Sequence, residues 1–144
     1  MPSVLTFMQA LTALRAAGAL WISRAGRRAP GPLRHRPCQG RAWRRAFPNA
    51  GKEDIRRFLA MFAGSFLLHA GERLRFAPED RILGIYTARY PRQGGIAVDA
   101  MELEALALEA RGRYGVDLEA MCSEHLTLGA LFSACQDGER NRPR

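Results

Sequence analysis

Cys122 and His125 stand three residues apart, a spacing at which one helical turn can present two metal ligands. A structural zinc site takes about four ligands, and neither Cys38 nor Cys135 makes a second matching pair, so no metal site is expected. No Asp/His arrangement accompanies a cysteine to activate it as a nucleophile, and Cys122 and Cys135 read as core fillers. Glu102 and Glu104 are two residues apart, so on a helix they diverge and do not form an acid–base pair. Gly94-Gly95 precedes no Lys-Ser or Lys-Thr and reads as a turn, not a phosphate loop. His69 reads as a surface residue at the end of a helix, where the dipole suits it. What remains is a set of acids: Asp99, Glu102, Glu104, Glu109 and Asp117. Their chemistry is attraction for a basic partner surface. No catalytic residue is expected, and the chain reads as a protein that is not an enzyme.

Those acids need one element to hold them, and the stretch DAMELEALALEARGRYGVDL from Asp99 to Leu118 supplies it. Asp99 is placed to cap a helix. Met101, Leu103, Leu106, Leu108 and Tyr114 recur at helical spacing with Glu102, Glu104 and Glu109 between them. Gly115 follows, where a left-handed stop is cheap. The expectation is an amphipathic acidic helix with one side packed and the other offered to a partner.

Other helices are expected around it. Glu53 and Asp54 suit a first turn, and Ile55, Phe58, Leu59, Phe62 and Phe66 give an apolar stripe that Gly71 would end. Residues 72–98 form a long connection in which Ile82, Ile85 and Tyr86 suit a short helical turn. Thr127 is placed to cap a last helix that turns Leu128, Leu131, Phe132 and Cys135 inward. Residues 136–144 read as a polar tail.

The chain has 144 residues, an apolar share of 47% and a formal net charge of +8. The charge is unevenly placed: residues 1–52 hold ten Lys/Arg and no acid, and all fourteen acids follow. Residues 3–22 suit an apolar helix, but Arg15 and the polar residues argue against a membrane span. A transit peptide, a peripheral membrane helix and a plain packing helix remain open for it. Residues 23–52, with Pro30, Pro32, Pro37, Pro48 and most of the arginines, show no hydrophobic period and read as a disordered basic linker. Three widely spaced cysteines form no disulfide framework, so a reducing, cytoplasmic setting is the default. The Ala, Gly and Arg usage suggests a bacterial source. The expected architecture is all-α, with a basic N-terminal helix and arm at 1–52, a folded body at 53–135 and a tail at 136–144.

The order of helix, long loop, acidic helix, short helix and final helix resembles the acyl carrier protein family, a four-helix bundle. The resemblance covers about residues 53–135. Asp99 falls on that family's aspartate, Met101 on its leucine, Glu102 on the following acid, and Leu103, Leu106 and Leu108 on apolar positions of the second helix. Tyr114 falls on the aromatic that ends the helix, and Leu126-Thr127 on the dipeptide that opens the last one. Ala100 occupies the position of the serine that carries the phosphopantetheine arm, and a methyl group has no oxygen to form that phosphodiester.

The resemblance implies a monomeric, carrier-like interaction module without phosphopantetheine or other cofactor. It would dock a protein with a basic surface through Asp99, Met101, Glu102, Glu104 and Glu109. Two alternatives stay open on the sequence. One is a working acyl carrier with an unusual attachment point or a non-covalent acyl ligand. The other is binding of nucleic acid or an anionic membrane through residues 1–52.

Overall fold

A computed structural model describes residues 27–90 and 100–143 of the protein. These residues are mostly helical, and no strand forms among them; the sheet-like pairing is limited to isolated bridges at Arg27–Leu68 and Arg81–Thr127. The helices are α1 (Gly40–Ala46), α2 (Lys52–Ser65), α3 (Ile82–Arg89), α4 (Met101–Tyr114), α5 (Leu118–Met121) and α6 (Leu128–Arg140). Two 3-10 turns, Gly31–His35 and Ala70–Arg75, lie among them. The apolar helix expected at residues 3–22 falls outside the described residues. Among the described residues no helix is long and apolar enough to cross a membrane.

From Arg27 to Lys52 the basic segment is not a disordered linker but a layer of the fold. Trp43, on α1, is fully buried and donates its indole N–H to the Phe76 carbonyl at 2.7 Å. Its ring meets Phe47, Phe58 and Phe132 at centroid distances of 5.8, 5.9 and 5.7 Å. Two aromatics in a proline-rich stretch show no period, yet one buried indole removes on the order of 200 Å² from water. That contact, with the backbone bonds below, offsets the ordering cost that composition alone suggested could not be met.

Backbone bonds tie this layer down. Arg27 and Leu68 lie side by side, with Arg27 N donating to Leu67 O at 3.1 Å and His69 N to Arg27 O at 2.8 Å. Ala29 N donates to the buried Glu72 carboxylate at 3.2 Å, and Gln39 N to Leu74 O at 2.7 Å. Arg36 pairs with Asp80 at 2.6 Å. The folded unit therefore starts well before Glu53.

In α2, Glu53 and Asp54 occupy the first turn, and Ile55, Phe58, Leu59 and Phe62 are buried at helical spacing. The helix ends at Ser65, short of the expected Gly71. Leu67 takes φ +57°, while Leu67 N bonds to Gly64 O at 3.1 Å and Leu68 N to Ala63 O at 2.8 Å. This is a Schellman-type stop built without glycine. It turns the Leu67 carbonyl toward the Arg27 amide.

α4 packs on α2, α5 and α6. Its fully or nearly buried positions are Glu102, Leu106, Ala110 and Tyr114, four residues apart each time. Gly115 ends it in the left-handed region at φ +69°. Asp117 caps α5 through Ala120 N at 3.3 Å, and Thr127 caps α6 through Ala130 N at 3.1 Å. Leu128, Leu131, Phe132 and Cys135 point inward on α6 and are fully buried. The stretch expected as a polar tail from residue 136 is partly built into the fold: α6 continues to Arg140, and Arg142 donates to Arg113 O and Gly112 O at 2.8 and 2.9 Å. Gly138 lies so close to the end of α4 that a Cβ there would stand 2.1 Å from the Tyr114 carbonyl oxygen.

Candidate functional site

α4 begins at Met101, with Ala100 as its N-cap residue and no side-chain cap bond. Asp99, the expected cap, lies outside the described residues. The first-turn amides of α4 thus lack a bond from the side chain of the N-cap residue. Ala100 is 6% exposed, so its methyl group is covered as well as chemically inert. Met101, next to it, is 52% exposed, and apart from Leu67 it is the large apolar side chain left open among the described residues.

Glu102 departs from expectation. It is 6% exposed and heads the buried stripe of α4, so its carboxylate does not face a partner. It accepts the phenolic hydrogen of Tyr90 and lies 3.7 Å from Arg89 Nε. Both charged side chains of that pair are 7% exposed. Arg89 reaches it from the last turn of α3, where a cation complements the helix dipole. Its guanidinium lies 5.9 Å from the Tyr90 ring centroid, within cation–π reach. Arg89 Nε and Nη2 are buried without a hydrogen-bond partner, so the pair is charge-compensated but incompletely bonded. Burial, followed by the bond to Glu102, pushes the Tyr90 hydroxyl above the usual phenol range and keeps it protonated as the donor.

The other acids are partly committed. Glu104 is half-buried. Glu109 accepts from Arg113 Nε at 2.7 Å, with its side chain 13% exposed. Asp117 caps α5 and lies 3.5 Å from Arg111. The structure therefore brings Met101 and Glu104 to the open end of α4, withdraws Glu102 into the core and neutralises Glu109 in place.

The cysteines divide differently from expectation. Cys135 is buried, and burial pushes its thiol up to about 12, with Glu139 adding to the effect. Cys122 is exposed, as is His125 near it, and Cys122 fills no core. Among the described residues no three His, Cys, Asp or Glu side chains come together as a metal site. His69 is exposed; its Nδ1 accepts from Gly71 N at 3.0 Å and opens the second 3-10 turn. Arg89 and Tyr90 carried no local signal in the sequence, because Glu102 meets them across a twelve-residue separation from Tyr90.

No protein-family model matches this chain, and neither a curated protein nor a solved structure matches it significantly.

Proposed function

We propose that this protein is a carrier-like helical interaction module that bears no phosphopantetheine and docks a protein partner at the open end of α4. The observation that supports this most is the mouth of α4, where Ala100 supplies no hydroxyl and Met101 stands exposed beside it. The order of α2, α4, short α5 and α6 follows the order that the resemblance implies, with α1 added before it and α3 within the connection from α2 to α4. An exposed methionine beside a weakly acidic turn suits a partner surface with an apolar pocket and a basic rim. Methionine adapts to such pockets through its flexible, polarizable thioether. Met101 is then the apolar anchor and Glu104 the steering charge, in place of the wider acidic face first expected.

The attachment half of this reading is tested by intact mass. Incubation with coenzyme A and a broad-specificity phosphopantetheinyl transferase is expected to leave the mass unchanged. A phosphopantetheine adduct mapped anywhere in residues 27–143 would overturn it.

A further inference from the structure

We propose that the outer face of α1 is a contact surface for the phosphate backbone of duplex nucleic acid. α1 reads GRAWRRA, and Arg41, Arg44 and Arg45 are exposed while Trp43 is fully buried. At about 100° per residue the three arginines fall within an arc of about 100°, and Trp43 points the opposite way. The indole bond to Phe76 O therefore fixes which side of the helix the arginines present. Among the described residues none of the three has an ion-pair partner, unlike Arg36, Arg56, Arg57, Arg75, Arg89, Arg111, Arg113 and Arg140. No acid occurs in residues 27–52, so no carboxylate of this layer competes for them. A set of guanidinium groups on one helix face complements a polyphosphate, because the planar fork matches phosphate oxygens in pairs.

Two observations choose the occupant. A membrane-surface helix must lay large apolar side chains into the bilayer, and α1 exposes nothing apolar larger than Ala46: Trp43 is in the core and Phe47, just past the helix, is half-buried against Trp43 and Phe132. Single-strand binders stack bases chiefly on exposed Phe, Tyr and Trp, and among the described residues none of these side chains is exposed. Charge without wedge or stacking platform fits the duplex backbone, read without regard to sequence.

The test titrates the full chain into a fluorescein-labelled duplex of arbitrary sequence over a range of salt. Arg41→Gln, Arg44→Gln and Arg45→Gln combined is expected to weaken binding about tenfold or more at low salt. It should also flatten the plot of log affinity against log salt by about 2 to 3, since each duplex phosphate contact contributes about 0.9. A charge-matched control replaces Arg73, Arg81 and Arg140 with Gln and should lose much less. The arginines of the α1 set are exposed, so unchanged thermal unfolding of that variant certifies its fold. Equal losses in both variants, an unchanged salt slope, no duplex binding, or binding to phosphatidylserine vesicles in preference to the duplex would each overturn the proposal.

Discussion

Tyr90 donates its hydroxyl to Glu102, and this bond joins the end of α3 to the first turn of α4 from inside the core. Glu102 thereby holds Arg89 and Tyr90 together instead of greeting a partner. Removing one member of a buried pair strands the other, at a cost of about 3 to 5 kcal/mol. Glu102→Ala is expected to lose stability on that scale in urea unfolding. Glu102→Gln, which keeps an acceptor for Tyr90, should lose less. The double variant Arg89→Met with Glu102→Leu should recover most of the loss, because apolar packing replaces two desolvated charges. A double variant as unstable as Glu102→Ala would show that the charges themselves hold the turn.

The N-terminal layer belongs to the folded unit, so damage to it should be felt throughout. Trp43→Ala is expected to cost about 3 to 5 kcal/mol, the usual range for a buried Trp. Its near-ultraviolet circular dichroism and its urea midpoint would report this. A fragment beginning at residue 53 should unfold at a lower midpoint than the full chain, and equal midpoints would restore the picture of a dispensable arm.

Leu67 holds a positive φ that costs an L-residue about 1 to 2 kcal/mol. It is 41% exposed, so its side chain returns only part of that cost. Leu67→Gly relieves the strain while loosening the unfolded chain, and the balance is expected to be neutral or stabilising by up to about 1 kcal/mol. A clear drop in thermal midpoint would mean that the Leu67 side chain contributes packing beyond its exposure. Gly138→Ala should act in the opposite sense, since its Cβ would run into the Tyr114 carbonyl oxygen.

Alkaline pH should weaken the fold. The Cys135 thiol has a folded value of about 12, above its ordinary 9.0, and Tyr90 and Tyr114 are raised above 10.0. For a raised group the unfolded chain releases its proton first. Stability is therefore full below about pH 9 and falls as pH climbs toward 12. Urea midpoints measured across that window should decline steadily. At pH 8, iodoacetamide should label Cys38 and Cys122, both exposed, and spare Cys135 until urea unfolds the chain.

Local signals in the sequence were enough for the ends of several helices. Gly115 closes α4 and Thr127 opens α6 where their types required, and the inward face of α6 followed from Leu128, Leu131, Phe132 and Cys135. The misread features depend on distant partners. Trp43 is ordered by Phe76, Phe58 and Phe132, none of them near it in the chain. The stop of α2 rests on a leucine in a glycine-like conformation, which no composition rule selects. In α4 the expected apolar set was Met101, Leu103, Leu106, Leu108 and Tyr114; Leu106 and Tyr114 are buried, but the buried stripe runs on through Glu102 and Ala110 in place of Met101, Leu103 and Leu108. A glutamate can head that stripe because Arg89 and Tyr90 wait for it on another helix.

The proposed docking at the mouth of α4 is tested most directly by titrating the protein against a purified ketosynthase encoded in the same genome, a partner class that the resemblance to acyl carrier proteins implies. Saturable binding is expected, weakened about tenfold or more by Met101→Arg, on the scale of a central apolar anchor. Ala60→Arg, on the exposed side of α2, should leave it unchanged. Absence of binding, or equal weakening by the two substitutions, would contradict it.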